Sequence, residues 1–391
     1  MPSATDWVAG LSPWPEEFGL ERMRALLDLL GHPERSYPSI HVVGTNGKTT
    51  ATRTIAALLR ANGLAVGAYT SPHVLGWHER LDTDPETFER AAARVRAHAE
   101  DVGATQFEVL TAAALAEFAE EGVEAAVVEA GLGGRLDATN VIGARVVHLT
   151  NVALEHTDVL GETREQIARE KLAVAAPGST VVLGEPEWAP LVPESEVRAG
   201  GAREAAEAFL GRRIEQEPEV RVPGRLEWRS PDEVWDGAHT PEAADWLFER
   251  LPQRDWVLVC SILGDKRVDA LLERLSRFGS TLVATRSQNP RALDDAELAG
   301  RAAAHFARVE RNPDPVRALE RARMLGPVLV TGSLYVLADL HARVERRAPR
   351  ERRSAAQPGP RLSVFVFAAA ALVAFVGATF GAGYIIGKLL L

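Results

Sequence analysis

The chain has 391 residues, of which 46% are hydrophobic and 25% charged, a composition that argues against wholesale disorder. At roughly 150 residues per domain, this length predicts two globular domains and an additional segment. A single cysteine, Cys260, excludes an internal disulfide framework and a multi-cysteine metal site. The net charge of −10 disfavours a general nucleic-acid binder, which needs a basic surface. We therefore expect no nucleic-acid partner.

Short apolar runs alternate with helical patterns along the first half of the chain. The predicted strands are 39–43, 65–69, 123–129 and 144–150, and the predicted helices are 50–62, 85–102 and 107–120. Such alternation is typical of a parallel sheet with helices on both faces.

A second alternating series begins after residue 223. Its predicted strands are 233–236, 256–262, 281–285 and 328–331, and its predicted helices lie near 241–251, 268–277, 294–306, 314–324 and 333–346. We therefore predict two α/β domains, residues 1–222 and residues 223–342, with a boundary in the region 219–230.

The C-terminal end has a different composition. Residues 343–361 are rich in arginine and proline, which predicts a basic flexible linker. Residues 362–387 carry no charge and exceed the roughly 20 apolar residues that cross a bilayer. We predict a transmembrane helix there, with a buried core helix as the alternative. Basic flanks stay on the cytoplasmic side, so we expect the two α/β domains to be cytoplasmic and anchored to the inner membrane by a single-pass helix.

A glycine-containing loop follows the first predicted strand and opens a helix. Glycines let a backbone wrap an anion, and the N–H groups at a helix N-terminus point toward it. Lys48 is placed to reach the terminal phosphates of a nucleotide. The loop is shorter than the common GxxxxGK[ST] pattern, and a glycine-rich turn without a ligand is the alternative. The predicted nucleotide-contacting residues are Gly44, Thr45, Asn46, Gly47, Lys48, Thr49 and Thr50.

Further sequence blocks carry a family resemblance. They are TSPH at 70–73, ERL at 79–81, GLGGRLDATN at 131–140, EHTDVLG at 155–161, PGR at 223–225, DGAH at 236–239 and TGSLY at 331–335. Together with the phosphate loop they closely resemble the folylpolyglutamate synthase/dihydrofolate synthase branch of the Mur ligase family, over about 18–340. The GLGGRLDATN block is specific for that branch.

The resemblance implies a fold, an activity and its partners. The fold would be a P-loop-type parallel-sheet ATPase domain followed by a smaller Rossmann-like α/β domain, to which we add the C-terminal transmembrane helix. The activity would be an ATP-dependent amide ligase that adds L-glutamate to dihydropteroate or to a folate through an acyl phosphate. ATP and Mg²⁺, with two ions expected, would be required, and the catalytic unit would be a monomer. The expected partners are ATP, L-glutamate, dihydropteroate or folate, and the lipid bilayer.

The resemblance also implies roles for individual residues. Lys48, Lys171 and His239 would be catalytic, and Arg225 and Asp236 would bind ATP. The magnesium ligands would be Ser71, Glu129, His156 and Lys171, the last as a carbamate. The substrate-binding residues would be Arg135, Leu136, Asp137 and Ala138, with Asp137 as the best candidate for reading a pterin ring. Taken alone, these residue types also fit ordinary turn, loop, helix-cap and surface positions.

Two alternatives remain open at this point. The first is a Mur-type ligase that joins an amino acid to another carboxylate, such as a cell-wall precursor. The second is a membrane-tethered nucleotide-binding protein without catalysis. Thr240 departs from the resemblance, because the family block reads DGAHN where this chain has DGAHT.

Overall fold

Strands and helices alternate through the part of the chain that this computed structural model describes, which is residues 3–347, with side chains up to residue 343. The strands are β1 (Ser39–Val43), β2 (Val66–Tyr69), β3 (Ala125–Glu129), β4 (Val146–Leu149), β5 (Thr180–Leu183), β6 (Glu196–Ala199), β7 (Glu227–Ser230), β8 (Glu233–Trp235), β9 (Val257–Cys260), β10 (Thr281–Ala284), β11 (Arg308–Arg311) and β12 (Val328–Thr331).

Thirteen α-helices are present within the same residues. They are α1 (Ala4–Gly10), α2 (Glu21–Leu29), α3 (Lys48–Ala61), α4 (Pro85–Val102), α5 (Gln106–Glu120), α6 (Thr157–Leu160), α7 (Arg164–Leu172), α8 (Ala202–Leu210), α9 (Pro241–Phe248), α10 (Val268–Leu275), α11 (Asp295–Ala302), α12 (Pro315–Arg323) and α13 (Leu334–Arg347). Short 3₁₀ helices cover Pro33–Arg35, Trp77–Leu81 and Pro186–Leu191.

The first sheet has the order β2-β3-β1-β4-β5-β6, with all strands parallel. Strand β1 lies inside it, between β3 and β4, and all five of its residues are buried. Because the chain leaves β1 toward one side and later returns to its other side, the carboxyl end of β1 is a topological switch point. Open α/β sheets place ligand sites at such points.

Helices cover both faces of the first sheet. On one face Ile55 of α3 and Phe209 of α8 pack against Ile40 and Val42 of β1. The other face belongs to a larger core that includes residues of α4 and α5. Helix α5 begins with a capping box between Thr105 and Glu108, which satisfies donors that a helix start otherwise leaves free. Two covered faces explain why β1 to β5 are buried along nearly their whole length instead of having alternating buried and exposed residues.

The second sheet has the order β11-β10-β9-β12-β8-β7. Its strands are parallel except β7, which runs antiparallel to β8. Its main core packs buried leucines of α10 and α11 against β9 and β10. Both sheets lie within one compact unit that extends to Ala342. The predicted parallel α/β architecture is therefore confirmed, while the boundary between residues 222 and 223 stays a prediction.

The structure contains elements that the sequence analysis did not predict. Strand β6 is exposed along its length and β11 contains two arginines and a glutamate. Each is an edge strand, paired on one side only. Edge strands often carry polar side chains, so a search for apolar runs does not detect them. Their strand structure comes from the neighbour with which they pair.

The predicted transmembrane helix is corrected. Among residues 3–347 no helix is both long and apolar enough to cross a membrane. The longest, α4, has 18 residues but contains several Glu and Arg side chains, which are costly in a bilayer. The segment 362–387, on which the prediction fell, lies outside the described residues, as does most of the predicted linker 343–361. The fold class is a two-domain α/β fold, and the membrane-anchored localisation, which depended on that helix, was wrong.

Candidate functional site

The phosphate loop lies at the carboxyl end of β1. Gly44 has a φ of 147°, and a Cβ there would overlap the hydroxyl of Thr150. Only glycine therefore fits this turn. Gly47, with a φ of 79°, is the left-handed residue from which α3 starts. The first amides of α3, from Lys48 onward, face the loop, and this is the geometry of an anion site.

Residues that follow β4 hold the phosphate loop in shape. The Asn151 side chain accepts from the Asn46 amide at 2.9 Å and donates to the Asn46 carbonyl at 3.2 Å. The Thr45 amide donates to the Asn151 carbonyl at 2.9 Å, and the Thr150 hydroxyl donates to the Asn46 carbonyl at 2.8 Å. The loop is thus preorganised by the neighbouring strand. The sequence analysis did not assign this role to Asn151, although the residue stands directly after a predicted strand.

Glu129 ends β3 beside the phosphate loop and is buried. Its two carboxylate oxygens accept from the Thr49 hydroxyl and from the Ser71 amide, each at 3.0 Å. Burial raises the pKa of Glu129, and the nearby Lys48 ammonium opposes that rise. A buried carboxylate next to a phosphate loop is the type of oxygen ligand that Mg²⁺ takes.

The four predicted metal ligands do not form a closed cage. Within residues 3–347 no three His, Cys, Asp or Glu side chains are grouped to hold a metal ion. Ser71 meets Glu129 through its backbone amide. His156 has a φ of 52° at the start of α6, and burial lowers its pKa against the opposing effect of Glu155. Mg²⁺ commonly binds through a few protein ligands together with water and substrate phosphates, so the magnesium ligands stay a prediction.

Lys171 of α7 is 5% exposed. Its Nζ donates to the Gly44 carbonyl at 2.8 Å, which places it beneath the phosphate loop. Burial, and then the charge of Lys48, lowers the pKa of Lys171 to about 7. An amine with such a pKa is partly neutral at physiological pH, so it can act as a nucleophile.

The predicted substrate loop approaches α7 closely. A Cβ on Gly134 would overlap the backbone carbonyls of Glu170 and Lys171. Arg135 pairs with Glu170 at 3.1 Å and its side chain is 58% exposed, whereas Asp137 is buried. The Asp137 carboxylate accepts from the Leu132 amide at 2.8 Å and from the Thr139 amide at 3.0 Å. Burial raises the pKa of Asp137, and hydrogen bonds from the Thr139 hydroxyl and from the backbone of Leu132, Thr139 and Gly131 oppose this rise.

Residues next to the second sheet contribute another cluster. The Asp236 oxygens accept from the Leu226 amide at 2.7 Å and from the Ala238 amide at 2.8 Å. Burial raises the pKa of Asp236 and Arg225 opposes this. His239 Nδ1 lies 2.8 Å from the Gly237 carbonyl, which makes Nδ1 the donor and leaves Nε2 free of that bond. Asp236, the first residue of the DGAH block, is thus hydrogen-bonded to Leu226, the residue directly after the PGR block.

An ion pair that the sequence analysis missed connects residues near the two sheets. Lys266 Nζ lies 3.2 Å from Glu155 Oε1, with 15% and 21% of the two side chains exposed. Burial acts to raise the pKa of Glu155, but Lys266, His239 and other cations outweigh it and the pKa lies below its usual range. Lys266 follows β9, and only the fold brings it to Glu155, 111 residues earlier.

A cavity of about 1480 Å³ brings these groups together. Most of the predicted site residues line it, whereas Gly44, Arg135 and Lys171 do not. Those that do are Thr45, Asn46, Gly47, Lys48, Thr49, Thr50, Ser71, Glu129, Leu136, Asp137, Ala138, His156, Arg225, Asp236 and His239. Trp14 and Phe18, which the sequence analysis did not select, also line the cavity and are largely exposed. The volume exceeds that of ordinary small-ligand pockets.

Comparison with known proteins identifies the family. Residues 42–183 match the Mur ligase middle domain, and residues 224–334 match the Mur ligase glutamate ligase domain. The dihydrofolate synthase/folylpolyglutamate synthase of Mycobacterium tuberculosis is 33% identical, over 79% of this chain and 82% of that protein.

Solved structures of the same branch agree. Escherichia coli FolC in complex with DHPP and ADP superposes with a TM-score of 0.81 at 27% identity, covering 89% of this chain and 99% of that one. The Yersinia pestis bifunctional folylpolyglutamate synthase/dihydrofolate synthase, complexed with AMPPNP and Mn ion, gives a TM-score of 0.76 at 28% identity, covering 88% and 100%. The phosphate loop, the buried Glu129 and the two sheets that frame the cavity are thus those of a member of the Mur ligase family, in its folylpolyglutamate synthase/dihydrofolate synthase branch.

Proposed function

We propose that this protein is an ATP-dependent ligase that joins L-glutamate to dihydropteroate, to tetrahydrofolate, or to both. The observation that carries the proposal is the shared cavity, in which a phosphate loop, a buried carboxylate and the GLGGRLDATN loop face one space. Relatives of the same branch support it, since one is complexed with DHPP and ADP and another with AMPPNP and Mn ion.

The proposed reaction has two steps. A carboxylate oxygen of the pterin-bearing substrate bonds to the γ-phosphorus of ATP, and the bond from that phosphorus to ADP breaks. The amino nitrogen of glutamate then bonds to the acyl carbon, inorganic phosphate leaves and the amine loses a proton. Lys48 and the first amides of α3 would bind the transferring phosphoryl group, where they stabilise developing negative charge. The enclosed cavity would keep water from the acyl phosphate.

Ser71, Glu129 and His156 would hold the divalent cation at the phosphates. When bound, this ion would neutralise charge on the transferring phosphoryl group. The Glu129 carboxylate fits this role, because it is buried beside the phosphate loop and offers the oxygen ligands that Mg²⁺ takes.

We propose that Lys171 reacts with carbon dioxide to form a carbamate. The neutral amine adds to carbon dioxide, a new N–C bond forms and one proton is released. A pKa of about 7 supplies the neutral amine that this addition requires. The product is an anion beside the phosphate loop, available as a further ligand for a second cation.

Arg225 and Asp236 would bind ATP near the PGR block, and His239 would lie near the transferring phosphoryl group. Asp236 already accepts hydrogen bonds from two backbone amides. It would therefore bind the ribose in addition to its structural role. Because one chain supplies all these residues, the proposed catalytic unit is a monomer.

Phosphate release with parallel substrates tests the proposal. Purified protein is given ATP, Mg²⁺ and L-glutamate with dihydropteroate, tetrahydrofolate or a UDP-linked murein precursor. We expect release that depends on glutamate and on a pterin substrate, and none without glutamate. Turnover with the murein precursor alone would favour the cell-wall alternative, and absence of turnover with all three substrates would favour the non-catalytic one.

A further inference from the structure

A buried chain of polar side chains leads from the centre of the first sheet to the substrate loop. His41 lies in β1 and is 1% exposed, and Thr139 is fully buried. His41 Nε2 lies 2.8 Å from the Thr139 hydroxyl oxygen, and that hydroxyl is hydrogen-bonded to Oδ1 of Asp137. Asp137 lines the cavity, whereas His41 and Thr139 do not. The chain of bonds therefore ends at the cavity.

The chemistry of the three groups fixes the direction of each hydrogen bond. The Asp137 carboxylate accepts from the Leu132 and Thr139 amides as well, which identifies it as an acceptor. The Thr139 hydroxyl must then donate to Asp137, so its oxygen accepts from His41. His41 therefore donates from Nε2, and burial favours its neutral form by lowering the pKa of His41 to about 3.

A buried imidazole requires hydrogen-bond partners, whereas an aliphatic side chain at position 41 would not. The presence of histidine in this strand therefore calls for an explanation. An unsatisfied buried polar group costs about 1–3 kcal/mol. The residues paired with His41 across the sheet, Val128 of β3 and Val147 of β4, are fully buried and aliphatic. The polar side chain is therefore placed for its hydrogen bond to Thr139.

We infer that His41, acting through Thr139, is a positioning residue that orients the Asp137 carboxylate for recognition of the pterin-bearing substrate. Oδ1 of Asp137 accepts from both donors of Thr139 and Oδ2 from the Leu132 amide, and the Gly131 backbone also acts on this carboxylate. Because Asp137 lines the cavity, the orientation of its carboxylate determines what it presents to a ligand there. The inference rests on the proposed function, since it names the substrate that Asp137 recognises.

The test separates positioning from a general effect on the core. His41→Leu removes the Nε2 donor, and His41→Gln restores an N–H donor at a similar distance from the backbone. The matched control is His148→Leu: His148 is also buried, in the adjacent strand β4, but its Nδ1 bonds to the Val182 carbonyl, and it does not line the cavity. Thr139→Val and Thr139→Ser provide a second pair if the His41 variants fold poorly.

Steady-state KM values for dihydropteroate and for ATP, with dihydropteroate affinity by calorimetry, are the readouts. For His41→Leu and Thr139→Val we expect the KM for dihydropteroate to rise about tenfold or more, which matches the loss of orientation in a charge-assisted hydrogen bond. The KM for ATP should stay within about twofold, and His41→Gln and Thr139→Ser should restore most of the affinity.

An unchanged KM for dihydropteroate in His41→Leu and Thr139→Val would overturn the inference, as would an equal rise in His148→Leu. A parallel rise in the KM for ATP would show instead that the phosphate loop was disturbed. If the wild-type protein neither binds nor turns over dihydropteroate, the same measurements are made with tetrahydrofolate, and the proposed function fails if the protein uses neither substrate. If it binds and turns over one of them, a negative result in the variants refutes the positioning role alone.

Discussion

Lys171→Met tests the lowered pKa of Lys171 through its effect on stability. The pKa of Lys171 is lowered from 10.5 to about 7, with burial as the main cause. The folded state therefore disfavours the protonated amine, and its stability suffers at any pH where the unfolded chain would bind that proton. The penalty is complete below pH 7, falls as the pH rises and vanishes above 10.5. Linkage gives roughly 4 kcal/mol at pH 7 for such a shift.

The assay is urea unfolding of the apo-protein in buffers free of carbon dioxide, between pH 7 and 10. Methionine removes the charge but keeps an unbranched side chain of similar length. Relative to the wild-type protein, we expect Lys171→Met to be more stable at pH 7, with an advantage that shrinks by up to about 4 kcal/mol as the pH approaches 10. The lost hydrogen bond to the Gly44 carbonyl should subtract about 1 kcal/mol at every pH.

Arg169→Met is the matched control, because Arg169 lies on the same helix with 59% of its side chain exposed. It should show no such pH-dependent advantage. A stability difference between wild type and Lys171→Met that stays constant from pH 7 to 10 would refute the depressed pKa. Turnover should be lost in Lys171→Met and in Lys171→Ala, and short carboxylates should partly restore the latter. Full activity of Lys171→Ala in bicarbonate buffer would contradict the carbamate.

Three further predictions concern the cavity. Lys48→Ala should reduce glutamate-dependent phosphate release at least a hundredfold with an unchanged circular dichroism spectrum, because Lys48 acts on bound phosphate; normal turnover would remove the phosphate-loop assignment. Glu129→Gln and His156→Ala should each raise the Mg²⁺ concentration for half-maximal rate severalfold, and unchanged Mg²⁺ titrations in both would mean that neither is a ligand. Lys266→Met should lower kcat/KM about tenfold, since it removes the ion pair between Lys266 and Glu155 in the cavity. Arg267→Met, which breaks a pair with half-exposed side chains, should change kcat/KM less than twofold, and equal effects of the two substitutions would show that the Lys266 pair has no specific role.

Local patterns were enough to predict several parts of the molecule. The phosphate loop could be predicted because its glycines, its lysine and the preceding apolar strand are contiguous. The α/β architecture followed from strands buried on both faces, which read as short apolar runs between helical segments. Helix α4 was predicted over its full length, since Asp84 and Pro85 mark its start and Gly103 its end.

Amino-acid composition did not predict the strands whose structure depends on pairing with a neighbouring strand. Strands β6 and β11 are polar edge strands, so their order comes from pairing and not from an apolar pattern. The transmembrane helix was predicted from the length and apolarity of segment 362–387, which lies outside the described residues. No helix of residues 3–347 meets that description.

The sequence by itself determined which chemical groups the site would contain and near which strand ends they would stand. Only the tertiary structure decided their protonation and their partners. Lys171 and Glu129 have shifted pKa values because folding removes them from water, and desolvation is a property of the packed environment. Lys266 meets Glu155 across 111 residues, and His41 reaches Thr139 across 98. Such contacts arise when parallel strands bring distant loops to one edge of a sheet, which no local pattern encodes.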